Sequence, residues 1–388
     1  MTSNTSSNVG SAHAASIHTA STHFDSSKTV RSYLGSTGIA EKMATQGVTE
    51  VTINRPHEMW TETVDGWQQH AAPALSFDLC KKLADALTIY NKASPPLSAL
   101  APIKPVRLPD GERGQVMTAP ACEPGTVSMT IRIPSTVRFS KDDYVRAGTL
   151  TGFVDVSPSV LAGSAAVRRM PGLLDDGVRD AAPIEFVPAG VTLAPFELEM
   201  LAAKATRNVP RLFELAIKHK LNIVTVGGVG SGKTTLMKML ADLVPPTTRI
   251  GTIEDTHELS LPNHPNHVHM FFSDSLPAKE IVRSTLRMKF DRVFLTELRG
   301  DETWDYLTLL NTGTDGGMTS VHANDCASAF SRIATLVKAS QVGQTLDWSY
   351  ILHEVKTTID VVLFMERKRL TQIHYDPVEK WKLLRGLA

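Results

Sequence analysis

The run Gly227-Gly228-Val229-Gly230-Ser231-Gly232-Lys233-Thr234-Thr235 has residue types and spacing that suit one task, holding a chain of phosphates. Glycines at 228, 230 and 232 let the backbone wrap closely, so that its N–H groups converge on phosphate oxygens. Lys233 would reach the β- and γ-phosphates, Thr234 would place its hydroxyl on Mg²⁺, and Gly228, Gly230, Ser231, Gly232 and Thr235 would complete the cradle. The alternative is a glycine-rich turn that fits the pattern by accident. The flanks argue against it: Leu221, Ile223, Val224 and Val226 precede the run, and Leu236, Met237, Leu240, Ala241 and Leu243 come after it. Strand, tight loop and helix is the context that sets a helix N-terminus behind the phosphates.

Further polar clusters come after apolar stretches downstream. In Thr252-Ile253-Glu254-Asp255-Thr256-His257-Glu258, acids at a strand end could hold Mg²⁺-bound water or orient the attacking water. A turn or helix start with acidic caps is the alternative. Asp291-Arg292-Val293-Phe294-Leu295-Thr296-Glu297-Leu298-Arg299-Gly300 reads as a buried strand whose closing acid, Glu297, protrudes toward Mg²⁺ and the γ-phosphate, as in a Walker-B segment. Gly316 to Asn324 carries His322, which could sense the γ-phosphate or donate a hydrogen bond to it; a structural histidine bonded to a loop carbonyl is the other reading. Arg283 and Arg287 on one helical face, and Arg299, could neutralise charge that develops during transfer, or could be surface ion pairs. Earlier in the chain, Arg113 and Arg132 would reach a nucleotide only if their domain folded back over it.

The elements that must position these groups can be read from periodicity. From about residue 191 the pattern alternates short apolar strands with longer helices: helices at 196–206 and 209–219, strands at 249–253, 268–272, 292–296 and 318–321, helices at 278–288, 301–311 and 325–338. That alternation predicts a largely parallel sheet with helices on both faces, its ligand beyond the strands' carboxyl ends. A smaller α+β domain is expected over residues 31–140. It has a short helix at 34–46, strand pieces around Val51 and Trp60, and a Ser76-capped helix to Tyr90. A proline-rich loop at 95–105 and strands near 114–117 and 127–133 complete it. Residues 1–30 read as a Ser/Thr/Ala-rich flexible tail, with His13, His18 and His23 scattered and unpaired by any metal-ligand spacing. Residues 141–190 read as a linker with one or two short helices.

Composition narrows the partners. In 388 residues, 40 Lys plus Arg balance 40 Asp plus Glu, so no global basic field invites nucleic acid, although a local patch is compatible with this. Cys80, Cys122 and Cys326 are far apart, which argues against a disulfide scaffold or a cysteine-built zinc site and fits a reducing cytoplasm. No apolar run approaches the roughly 18 residues of a membrane span, and the start of the chain lacks the layout of a signal peptide.

Taken in order, the segments GGVGSGKTT, TIEDTHEL, LRMKFDRVFLTELRGDETWDYL and GGMTSVHAN resemble the VirB11-like traffic ATPases of type IV secretion systems, within the larger secretion-ATPase superfamily. GVTEVTINRPHEMW, LPDGERGQV and VSMTIRIPS resemble that family's N-terminal domain. The resemblance spans about residues 38–137 and 191–388 and implies an α/β fold, a C-terminal RecA-like P-loop ATPase domain (191–388) joined to the smaller α+β domain. It implies that Lys233 and Thr234 bind phosphate and Mg²⁺, that Glu254 is the catalytic carboxylate, and that Glu297 is the Walker-B glutamate acting directly or indirectly on Mg²⁺. His322 falls in the histidine box, and Arg132 matches an arginine expected near nucleotide. Two positions depart from the family pattern, Thr296 where glycine is usual and Phe290 where proline is usual.

The family further implies a homohexameric ring peripheral to the cytoplasmic face of a bacterial inner membrane. Nucleotide would sit between the two domains of a subunit, and ATP hydrolysis would drive protein or DNA export or pilus assembly. Its partners would be membrane-embedded secretion components and coupling ATPases, with no sequence-specific nucleic-acid contact. The rivals are a type II secretion or type IV pilus motor, disfavoured in its four-cysteine forms, and a non-hydrolysing scaffold, which would lack one of Lys233, Glu254 or Glu297.

Overall fold

The computed structural model describes residues 26–63, 65–134, 138–161, 187–273 and 275–387, so the tail histidines and the segment 162–186 lie outside the described residues. The chain divides into two compact units, one ending at Ile133 and one beginning at Pro134.

In the first unit, helices α1 (Ser26–Ser36), α2 (Ile39–Met43) and α3 (Phe77–Tyr90) accompany strands β1 (Glu50–Ile53), β2 (Glu58–Thr63), β3 (Gly66–Ala71), β4 (Ile103–Arg107), β5 (Arg113–Thr118) and β6 (Val127–Arg132). The strands form one antiparallel sheet in the order β3-β2-β1-β6-β5-β4. Strand β6 explains the packing: Val127, Met129 and Ile131 are buried, and Ser128, Thr130 and Arg132 face away. The buried side joins Leu83, Leu87 and Val30 in one core. Ser76 caps α3 by accepting from the Leu79 N–H.

The first unit departs from the sequence-based expectation at two places. Helix α1 begins at Ser26 rather than at residue 34 and stops at Ser36, because Gly38 takes a left-handed conformation (φ 77°) before α2. The end of the expected proline-rich loop is strand β4, which tolerates Pro105 because it lies at the sheet edge.

In the second unit the helices are α4 (Lys141–Arg146), α5 (Pro158–Leu161), α6 (Pro195–Ala205), α7 (Val209–Lys218), α8 (Lys233–Asp242), α9 (Ala278–Thr285), α10 (Glu302–Leu310), α11 (Cys326–Ala339), α12 (Trp348–Thr358) and α13 (Pro377–Leu383). The strands are β7 (Val154–Asp155), β8 (Ile223–Val226), β9 (Ile250–Glu254), β10 (His267–Phe271), β11 (Arg292–Leu295), β12 (Met318–Val321), β13 (Val361–Glu366) and β14 (Arg369–Tyr375). They form a sheet in the order β10-β9-β11-β12-β8-β13-β14-β7, with the first six parallel and β14 antiparallel to β13.

Every residue of β8, β11 and β12 is buried, as a sheet covered on both faces requires. Alternation along the strands feeds two cores. Ile223, Phe294 and Leu363 pack with residues of α6, α7 and α8. Val224, Val293, Leu295 and Val362 pack with residues of α9 to α12. The stretch expected as a linker contributes α4, the edge strand β7 and α5 to this unit. Among the described residues, no helix is long and apolar enough to cross a membrane.

Candidate nucleotide-binding site

Strands β9, β11, β12 and β8 are parallel neighbours in that order, so the segments leaving their carboxyl ends emerge at one edge of the sheet. Asp255 comes directly after β9, Glu297 after β11, His322 after β12 and Gly227 after β8. Topology therefore converges four segments that are far apart in sequence.

The glycine loop is held open by backbone geometry. Gly227, Gly230 and Gly232 have φ of 145°, 70° and 101°, a region in which side chains are strained. A Cβ on Gly227 would stand 2.3 Å from the Met365 carbonyl oxygen. Helix α8 starts at Lys233 with no side chain capping its first turn, which leaves its N–H groups to the loop. Ser231 Oγ is buried without a hydrogen-bond partner, which suits a loop built for phosphate oxygens. Lys233 Nζ donates to the Gly227 and Gly228 carbonyls at 2.7 and 2.9 Å.

From Lys233 a chain of polar contacts runs along the strand ends. Lys233 Nζ is 3.4 Å from His322 Nδ1, and His322 Nε2 is 3.1 Å from Glu297 Oε1. The other Glu297 oxygen accepts from Arg299 Nη2 at 2.6 Å, and Arg299 Nη1 donates to Asp255 at 2.6 Å. Burial alone would raise the Glu297 carboxyl; the Arg299 hydrogen bond and the charges of Arg299, His322 and Lys233 outweigh it and leave the group below its ordinary value. Burial and the Lys233 charge hold His322 below the usual histidine value, favouring the neutral ring.

The acidic box divides its two glutamates between different tasks. Glu254 is fully buried. Its Oε2 accepts the N–H groups of Glu258 and Leu259, both at 2.8 Å, and its Oε1 accepts from Thr252 Oγ1 at 3.0 Å. Burial opposes its ionisation, but His257, His269 and the two backbone donors hold the carboxyl well below the usual range. Such a group anchors a turn. The carboxylate which that turn brings to the loop is Glu258, whose Oε2 accepts from Thr234 Oγ1 at 3.2 Å. Sequence reasoning placed Glu258 among the acids of the box but singled out Glu254 from the family resemblance, because no periodicity separates the two.

The other expected residues take varied places. Thr235 lies in the first turn of α8, and Gly228, Gly230 and Ser231 line the cavity at the loop. Arg283 is exposed and paired with Asp305 of α10 at 2.7 Å, apart from the polar chain. Arg132 ends β6 in the first unit, opposite Glu50 and Arg113 in register. Phe290 is accommodated because Gly251 has no side chain: a Cβ there would meet the Phe290 ring at 2.9 Å. Thr296 returns its hydroxyl to the Ile253 carbonyl at 3.3 Å.

The β13–β14 hairpin also reaches the site, and no motif in the sequence announces it. Its turn residues Arg367 and Lys368 have φ of 49° and 63°, the positive values a tight two-residue hairpin demands. The Lys368 N–H donates to the Ser231 carbonyl at 3.0 Å. Arg367 lines, with Gly228, Gly230, Ser231 and Asn324, a cavity of about 440 Å³, within the usual size of a small-ligand pocket.

Comparison with known proteins bears on the family and the fold. A family model described as Type II/IV secretion system protein matches residues 192–372. The chain is 33% identical over 348 residues to the Type IV secretion system protein VirB11 of Brucella abortus, covering 86% of each protein. It is 32% identical over 333 residues to the Type IV secretion system protein PtlH of Bordetella pertussis, covering 84% of this chain and 87% of that one. The X-ray structure of the Legionella pneumophila ATPase DotB aligns with 93% of this chain and 84% of its own at a TM-score of 0.52 and 13% identity, a likeness of fold.

Proposed function

This chain belongs to the VirB11 family of type IV secretion system proteins, and we propose from that premise that it hydrolyses ATP as a motor of such a system, using the strand-end site of the second unit. The observation that carries the reading is the convergence of Lys233, Glu258, Glu297 and His322 beside a loop whose Ser231 hydroxyl is buried and unsatisfied.

In this reading Lys233 leaves the Gly227 and Gly228 carbonyls for the β- and γ-phosphates, and the α8 N-terminus faces the same charge. Glu258 orients the attacking water. The water oxygen bonds to the γ-phosphorus as the bond to the β–γ bridging oxygen breaks, giving ADP and inorganic phosphate. His322 donates from Nε2, and Arg299 fixes Glu297 and Asp255 in place. Thr234, Glu258 and Glu297 supply the hard oxygen donors that magnesium prefers, and so fit the ion. When bound, magnesium neutralises charge on the transferring phosphates. Glu254 supports the site as the anchor of the acidic turn. Arg132 is assigned to nucleotide on the family resemblance alone.

The finer biology completes the proposal: a homohexamer, peripheral to the inner membrane, coupled to membrane-embedded secretion components. Lys233→Ala should abolish magnesium-dependent turnover while leaving the far-ultraviolet circular dichroism unchanged. Undiminished turnover would remove the loop from the chemistry. A monomer in sedimentation at high protein concentration with nucleotide would overturn the ring.

A further inference from the structure

Beyond their contacts with the Glu254 carboxylate, two histidines beside the acidic turn have no task in the hydrolytic site. Strand β10 pairs with β9 so that His269 lies opposite Thr252. Thr252 and Glu254 share a face of β9 because side chains alternate along a strand. The turn after β9 then carries His257 back over the same carboxylate. The outcome is a cluster of Glu254, His257 and His269 whose ligating atoms all lie within 4.8 Å of one another.

We propose that these three residues bind a divalent transition ion of the zinc type. His257 Nδ1 is 3.5 Å and His269 Nδ1 is 3.6 Å from Glu254 Oε1. Ligands about 2.0–2.1 Å from a tetrahedral zinc ion stand about 3.4 Å apart, so these distances need little adjustment. The carboxylate cannot swing away, because its other oxygen holds the Glu258 and Leu259 N–H groups. Thr252 Oγ1 lies 2.7 Å from His269 Nδ1 and 3.0 Å from Glu254 Oε1, and its contact with Nδ1 is the one the ion replaces. The His257 side chain is 47% exposed, which gives the ion an entry and leaves its fourth position to water.

Two imidazoles and one carboxylate select zinc, cobalt or nickel over magnesium, so this site does not compete for the ion at Thr234. The dispersed cysteines have no bearing on it, since no thiolate takes part. An ion here ties β10 to the turn that presents Glu258, and so holds that carboxylate against Thr234. The site stands on its own donor geometry, independent of whether the strand-end site hydrolyses ATP.

The test uses full-length protein, loaded with zinc in excess magnesium, dialysed, and assayed for bound metal by mass spectrometry. Cobalt(II) absorption gives a second readout. Parent protein should retain one more zinc equivalent than His257→Ala or His269→Gln, and its cobalt form should show visible bands that both variants lose. The half-exposed His257 can be truncated without opening a core, so that variant decides the matter if His269→Gln fails to fold. Equal zinc content in parent and His257→Ala, or no zinc in the parent, overturns the proposal.

Discussion

His322 Nε2 lies 3.1 Å from Glu297 Oε1 while the Nδ1 of the same ring faces Lys233 Nζ at 3.4 Å. The same Nδ1 also stands 3.1 Å from the Gly227 carbonyl oxygen, so the ring touches the glycine loop as well. The ring thus links the phosphate lysine to the Walker-B acid. His322→Ala should lower kcat about 10²-fold, the usual effect of losing one preorganised donor, with KM for ATP changed by only a few-fold. Steady-state kinetics at saturating magnesium checks this, and parental kcat would take His322 out of the mechanism.

The two glutamates of the acidic box should separate by measurement. Glu258→Gln should bind nucleotide but turn over on the order of 10²-fold more slowly, with its melting temperature close to parental. Glu254→Gln removes a buried charge from two N–H donors, so it should cost about 2–3 kcal/mol of stability. Thermal melts beside turnover assays distinguish the pair. An unaltered melt for Glu254→Gln would deny its anchoring role.

Two neighbouring glycines make a sharper structural comparison. A Cβ on Gly227 would meet the Met365 oxygen at 2.3 Å and Ser231 Oγ at 2.7 Å, at a φ of 145°. On Gly228 it would meet nothing within 4 Å. Gly227→Ala should destabilise the protein by about 2–3 kcal/mol, and Gly228→Ala by well under about 1 kcal/mol. Urea denaturation of both variants reads the difference directly, and equal midpoints would mean the loop yields to the methyl group.

His374 supplies a pH dependence remote from both sites. It is buried in β14, edge-on to Phe330 at 4.9 Å, and burial lowers its proton affinity below the ordinary value. The unfolded chain therefore binds the proton more tightly than the folded one. Its contribution is fully present above the unfolded value of about 6.5 and is lost as pH falls through the folded value. His374→Gln should flatten the decline in stability between about pH 7 and about pH 5 relative to the parent. Identical slopes in urea titrations would show that another group governs it.

Local pattern decided how much of the molecule was legible in the sequence. The glycine loop, strand β12 and the alternating face of β6 could be read because turn residues and period-two burial are written in consecutive positions. The split between Glu254 and Glu258 could not, since a turn decides which acid faces inward and both stand in the same short box. Arg367 was invisible for a different reason. It reaches the loop only through the pairing of β13 with β8, two strands that lie far apart in the chain.

That same pairing bears on biosynthesis. A nascent chain that has delivered every motif through His322 to the ribosome exit still lacks β13, the neighbour of the loop strand on its other side. It also lacks the Lys368 N–H that fastens Ser231. The glycine loop is therefore among the last parts of the second unit to acquire its native surroundings, although it is translated well before them. A chain released before β13 would hold the glycine loop without its β13 neighbour and without the Lys368 contact.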